Sequence, residues 1–334
     1  MRKSIKNTPL PLDLPTPSAR PTGNPLDLTT KPTLPLSNAL NLRRCVGAYT
    51  EVDRKLWTLL AALAWSNLDK KRIHEADLRD LARTFREAKG SSENGTRWLM
   101  ASARRLQQSA LEWEDDEEIG AVPLLGGLKI TKADWKIYYQ FDDFLIEQLL
   151  ENKRFSRLRL YFMIGLSGKY SVSLYMLFET VANMREPVLD LTIPELRDAL
   201  SVPAKKLERW VDLRRFAIDP ALKEINENPE AAGFSVEMEP ILRGRAVDRV
   251  RFTVTKTETR KLEDKTAAMK AAQKRGGPRL TGAIIDEARG KFPALDIDAA
   301  EASFWEIQKA REIPLKNLRS GFLVHCQHIS EQVA

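Results

Sequence analysis

One order of elements occurs twice between residues 50 and 255, and it limits the folds open to this chain more than any other feature. The first copy opens with Thr50-Glu51-Val52-Asp53, close to a helix-capping box. Val52, Leu56, Leu59, Leu60 and Leu63 then recur at helical spacing. A second helix carries Leu78, Leu81, Ala82 and Phe85. After a Gly/Ser/Asn turn, a third is expected from about Thr96 to Leu111, and strand-like pieces follow at 121–130 and 135–141. The second copy repeats this order. Ser171–Met184 is an apolar-striped helix, and Thr192-Ile193-Pro194-Glu195 caps a short second one. A third is expected over Lys205–Asn226. Phe234, Val236 and Met238, then Val250, Phe252 and Val254, alternate as two half-buried strands. Leu-Arg-Asp stands in both second helices (78–80, 196–198), and paired arginines stand in both third ones (104–105, 214–215).

A helix-turn-helix followed by a β-hairpin is a winged helix, so the fold class expected is α+β, mainly helical, with two tandem winged-helix domains. Five segments follow: a disordered proline-rich arm (1–40), winged helix 1 (41–160), winged helix 2 (161–256), a basic linker (257–279) and a small helical unit (280–334). The first forty residues hold eight of the eighteen prolines, which cannot donate to a helix or sheet. PLDLP at 11–15 is echoed by PLDLT at 25–29, either as docking peptides or as low-complexity repetition. Residues 142–160 read as a helical join between the two copies.

Lys+Arg exceed Asp+Glu by 53 to 46 and the pI is near 9.3, a mild excess that suits a polyanionic partner. Lys205, Lys206, Arg209, Arg214 and Arg215 crowd the first half of the second copy's third helix. A groove-reading helix meets base edges near its N-terminal end, and arginine suits guanine there. A merely solvated basic face is the alternative. Pro220 inside that helix would kink it. Arg243-Gly244-Arg245 between the strands would bracket a phosphate at a turn. In the first copy, Glu112, Glu114, Asp115, Asp116, Glu117 and Glu118 surround Trp113 and would repel phosphate. DNA contact by that copy therefore rests on Asn94, Thr96, Arg97, Arg104 and Arg105.

The run from 166 to 254 resembles the initiator (Rep) proteins of iteron-controlled plasmids. The matching residues are Tyr170 with Leu174-Tyr175, Glu195-Leu196-Arg197, Arg214-Arg215 through Ala221–Asn226, Gly244-Arg245 and Phe252. The match is close in the second copy and looser in the first. The resemblance implies binding to repeated double-stranded DNA sites at a plasmid origin, opening of the duplex, and autorepression of the gene. It implies a homodimer, formed through the first winged helix, in equilibrium with monomer. Host initiator, helicase and sliding clamp are the partners it suggests. A transcriptional regulator built from the same domains is the alternative.

No catalytic, metal or cofactor site is expected. Gly165–Tyr170 lacks the first glycine and final hydroxyl of a phosphate loop. His325-Cys326-Gln327-His328 offers ligand types without a second cluster, so it reads as part of a buried tail helix. The longest uncharged run, Leu56–Leu68, is too short for a membrane span. Two distant cysteines fit a reducing cytoplasm.

Overall fold

The computed structural model describes residues 21–42, 44–89, 96–114, 119–150, 155–274, 280–293, 295–309 and 317–333. The chain divides into two compact units, 1–257 and 258–334.

The larger unit begins with β1 (Thr33–Ser37), α1 (Asn38–Leu42) and β2 (Arg44–Val46), then α2 (Glu51–Ala64), β3 (His74–Asp77), α3 (Leu78–Lys89) and α4 (Arg97–Gln107). Four strands follow: β4 (Ala110–Glu114), β5 (Ile119–Pro123), β6 (Leu128–Thr131) and β7 (Lys136–Tyr139). A join of α5 (Asp143–Leu150), β8 (Phe155–Arg159) and α6 (Leu160–Gly165) leads to α7 (Ser171–Val181), β9 (Val188–Thr192) and α8 (Ile193–Ala199). Next come α9 (Trp210–Leu213), α10 (Asp219–Glu227), α11 (Pro229–Ala232) and the hairpin of β10 (Phe234–Arg243) and β11 (Ala246–Lys256).

The two copies agree as patterns of pairing. In the second, β9 lies beside β11, which pairs with β10. In the first, β3 lies beside β7, which pairs with β6. The wing of the first copy is therefore the β6–β7 hairpin. The β4–β5 hairpin, which pairs with β2 in a separate sheet, is an addition to the plan. The sequence pattern runs β5 and β6 together across Gly126-Gly127. The backbone instead changes sheets there, with Gly126 N–H donating to Gln140 O at 2.8 Å. In the added hairpin Trp113 lies across Gly120, where a Cβ would collide with the indole.

Both capping boxes form. The Thr50 N–H donates to Asp53 Oδ2 at 2.8 Å, and the Thr192 N–H to Glu195 Oε2 at 2.7 Å. Leu56, Leu59 and Leu60 are wholly buried, which places the leucine face of α2 in the core. One apolar cluster runs through both winged helices. Polar contacts tie the same joint. Asn38 Nδ2 donates to Thr180 O at 3.1 Å, buried Lys55 donates to Leu166 O, and Glu224 Oε2 accepts from Gly168 N at 3.0 Å.

Three expectations need correction. Within the arm, residues 21–40 are ordered: β1 pairs with β8, and Leu26 and Leu28 pack on the core. The PLDLT motif is thus part of the fold, with Asp27 capping a short 3-10 turn, while PLDLP lies outside the described residues. Pro35 sits in β1 because this is a two-stranded edge sheet, where one missing N–H is tolerated. The join over 142–160 is not one helix but contains β8, whose partner is supplied by the arm. Of the basic linker over 257–279, the first part is open to helix from its sequence, and Glu258–Lys274 is helical as its Ala- and Lys-rich composition favours; what needs correction is only how far the helix reaches.

The smaller unit holds α12 (Glu258–Lys274), α13 (Gly282–Lys291), α14 (Ile297–Lys309) and α15 (Leu318–Val333). Its core is Leu280, Ala288, Ile297, Ala300, Phe304, Phe322 and Cys326. Arg319 clamps Glu287 with bonds of 2.6 and 2.7 Å.

Candidate nucleic-acid interface

The third helix of the second winged helix begins at Trp210, not at Lys205, because residues 201–209 form the turn of the helix-turn-helix. Lys205 and Lys206 are exposed on that turn, and Arg209 is the helix N-cap. The turn contains Ser201 and Leu207 at φ of 50° and 51°, a left-handed conformation unfavourable for a side chain. Arg197 of α8 holds it in place. Its guanidinium donates to the carbonyls of Leu207, of Lys206 at 2.8 Å and of Pro203 at 3.2 Å. The repeated Leu-Arg-Asp motif carries this signal, but nothing in the spacing reveals what the arginine binds.

Pro220 does not break the helix. A π-helical turn over Arg214–Ile218 joins α9 to α10. The wider turn falls where the proline ring would otherwise meet the Phe216 carbonyl. Leu213, Ala217, Ile218, Ala221, Leu222 and Ile225 face the core. Arg214 and Arg215 are exposed with Val211 and Phe216 on the opposite side. Arg209 forms a two-bond pair with Asp212 at 2.7 and 3.0 Å, and Arg214 approaches Asp219 at 3.2 Å. The Arg215 guanidinium stands 5.3 Å from the Phe216 ring centre. Asn226 fixes this helix to the wing by bonds of 2.8 and 2.9 Å to the backbone of Val236.

At the wing tip Arg243 pairs with Ala246, leaving Gly244-Arg245 as a two-residue turn. Gly244 has φ of 66° and nothing within 4 Å of a would-be Cβ. Glycine is needed there for backbone geometry, and its open side is free for a ligand to approach. Arg243 and Arg245 are exposed. Behind the tip, Arg251 of β11 clamps Asp190 of β9 with two 2.8 Å bonds, bracing the wing against its third strand.

The first copy offers less. Asn94 lies outside the described residues. Thr96 precedes α4 without capping it, while Arg97 and Arg104 are exposed. Arg105 instead turns inward and grips buried Asp53 with bonds of 2.7 and 2.8 Å, with Ser102 donating to the same carboxylate. Burial pushes the Asp53 carboxyl up, yet the bonds from Arg105, Ser102 and Thr50 outweigh it and hold the group below its ordinary range. The pairing of equivalent arginines in the two copies thus hides two environments. The true wing carries Lys129 and Lys132, which sequence spacing does not single out because it places the hairpin differently. Glu112 and Glu114 lie on β4 of the added hairpin, and 115–118 fall outside the described residues.

Two family models match. One, described as initiator replication protein WH1, covers residues 35–179, and the other, initiator Rep protein WH2, covers 192–254. Together they span well over half of the chain. The chain belongs to the initiator Rep protein family. Its two winged-helix domains are the two that define these models. Among solved structures, the Pi initiator protein in complex with iteron DNA is similar at a TM-score of 0.52 and 17% identity, over 68% of this chain and 98% of that one. That likeness is one of fold. Domains 2 and 3 of RctB are more loosely similar, at a TM-score of 0.36 and 15% identity over 72% and 94% of the two chains. No curated protein sequence matches. Residues 258–334 lie beyond both family models.

Among the described residues no group of three or more ligating side chains could hold a metal, and no helix is long and apolar enough to cross a membrane. His325 shares a 2.8 Å hydrogen bond with Ser303, and Cys326 is wholly buried in the small unit's core.

Proposed function

We propose that this Rep protein initiates plasmid replication by binding repeated duplex sites, iterons, at an origin. The observation that carries the reading is the cationic helix and wing of the second domain. Arg214 and Arg215 project from the exposed side of a helix whose other side packs in the core, and Arg243-Gly244-Arg245 forms the tip of the hairpin fixed to that helix by Asn226. A helix in the major groove reads base edges, and a wing tip neutralises phosphates. Lys205, Lys206 and Arg209, on and after the turn, extend the backbone contacts. In the first domain Arg97 and Arg104 contact DNA, and Arg105 serves the core. The Pi initiator protein, whose fold is similar, is bound to iteron DNA in its crystal structure, which supports the same reading.

Opening of an adjacent duplex, recruitment of host initiator and helicase, autorepression and a monomer–dimer equilibrium complete the proposal, as the family resemblance implies. The sliding clamp remains a partner only through PLDLP at 11–15, because PLDLT is held in the fold. Such an initiator works in the bacterial cytoplasm and without a catalytic step of its own.

Binding to a labelled origin duplex tests the assignment. Arg214→Ala/Arg215→Ala should lower affinity in a manner that depends on site sequence, by about 1–3 kcal/mol for each guanine read. Unchanged affinity and footprint in that variant would remove the helix from the interface.

A further inference from the structure

We infer that Val211 and Phe216 read thymine, each meeting a 5-methyl group in the major groove of the site bound by the second winged helix. This rests on the DNA-binding function proposed above and adds the base identity to it.

The buried stripe of the helix is already complete without these two residues: Leu213, Ala217, Ile218 and Ile225 fill it. Val211 and Phe216 stand outside it, 65% and 57% exposed, on the side that carries Arg214 and Arg215. Exposed beside two arginines on one helix face, this valine and phenylalanine offer apolar contact to whatever that face meets. Their neighbours say what it meets. The exposed cations on this helix and at the wing tip suit a polyanion and would be stranded against an apolar protein partner.

Within a DNA major groove only one apolar group is on offer, the thymine methyl, and side chains such as phenylalanine meet it. The local ion pairs strengthen the case. Arg209 and Arg214 are each engaged by a carboxylate of the same segment, Asp212 and Asp219. Their forks are thus partly committed before DNA arrives. Arg215 stands over the Phe216 ring, which covers one aromatic face and favours contact through the other face or edge. Discrimination on this helix therefore passes in part to shape and apolar contact.

The test uses the full chain and a duplex containing its footprinted site, with each thymine in turn replaced by deoxyuridine. That change removes one methyl and leaves every hydrogen-bonding group in place. At one or two positions the wild type should bind the uracil duplex about fourfold more weakly, the value of one buried methyl. In Val211→Ser/Phe216→Ser that sensitivity should vanish at those positions while sensitivity to phosphate-contact changes persists. Both residues are exposed, so the variant should melt with the wild type. Equal affinity for thymine and uracil at every position overturns the inference and leaves DNA binding standing. Sensitivity retained in the double variant also overturns it. If the wild type binds no duplex selectively, the DNA-binding reading falls and this one with it.

Discussion

Replacing Arg105 and replacing Arg104 should have opposite consequences, although the two stand side by side in α4. Asp53 is wholly buried, whereas Arg105 is 32% exposed at its side chain. Removing one partner of a buried ion pair costs about 3–5 kcal/mol, because the other charge is left without compensation. Here water can follow the path opened by the missing guanidinium, and the Ser102 hydroxyl and the Thr50 backbone N–H still donate to the carboxylate. A loss of about 2–3 kcal/mol is therefore expected for Arg105→Ala. For a unit of this size that lowers the melting temperature by roughly 5–10 °C. Arg104 is exposed, and its replacement by Ala should move stability by less than about 0.5 kcal/mol while weakening DNA binding.

The pH dependence gives a second reading. The Asp53 carboxyl is held below its unfolded value, so its contribution is present above that value and disappears as pH falls through the folded one. The total loss on acidification should be smaller in Arg105→Ala than in the wild type, because without the guanidinium the folded and unfolded values of this carboxyl lie closer together. Thermal and urea unfolding of both variants, followed by circular dichroism across pH 3–7, is the assay. If Arg105→Ala and Arg104→Ala melt together, the assignment of Arg105 to the core is wrong.

Other changes have equally direct outcomes. His74 is buried against Tyr139 and Phe141, and burial, then nearby Lys71, push its pKa down to about 4. Between pH 6.5 and 4 the unfolded chain binds a proton that the folded one does not, so stability should fall by up to about 3 kcal/mol as pH drops through that window. His74→Phe should flatten the slope in the same unfolding series. Gly244→Val forces a side chain into positive φ, and should disorder the wing tip and weaken DNA binding at a cost of about 1–2 kcal/mol without changing the fold's far-UV spectrum. Arg197→Ala frees the turn bearing Lys205 and Lys206, and should speed amide exchange over 201–209. Arg243→Ala/Arg245→Ala should weaken specific and nonspecific DNA alike, and lower the salt slope by roughly 1 per lost phosphate contact, as titration at several salt concentrations will show.

The winged-helix pattern was legible because its signals are local. Capping boxes at Thr50 and Thr192, apolar stripes in α2 and α7 and alternation in β10 and β11 need only neighbours in sequence. What was hidden depends on distant partners. β1 is a strand because β8 lies opposite it, and a reading of proline density alone could not supply that partner. The β4–β5 addition separates β5 from β6 although only four residues intervene. Arg105 and Arg215 look equivalent in sequence, and only the burial of Asp53 distinguishes them. The third helix of the second copy starts five residues later than its Lys- and Arg-rich sequence predicts, because Arg197 holds Pro203–Leu207 in a turn. The exposure of Val211 and Phe216 is set by which side of the helix packs on the core, which their sequence neighbours do not reveal.

The central claim is that the paired winged helices recognise repeated sites at an origin. Footprinting of the full chain on DNA flanking its own gene tests this most directly. The account predicts several evenly spaced direct repeats beside an AT-rich stretch, protected by the wild type and lost in Arg214→Ala/Arg215→Ala. A single palindrome would contradict it and indicate a regulator instead, and so would protection that survives loss of both arginines.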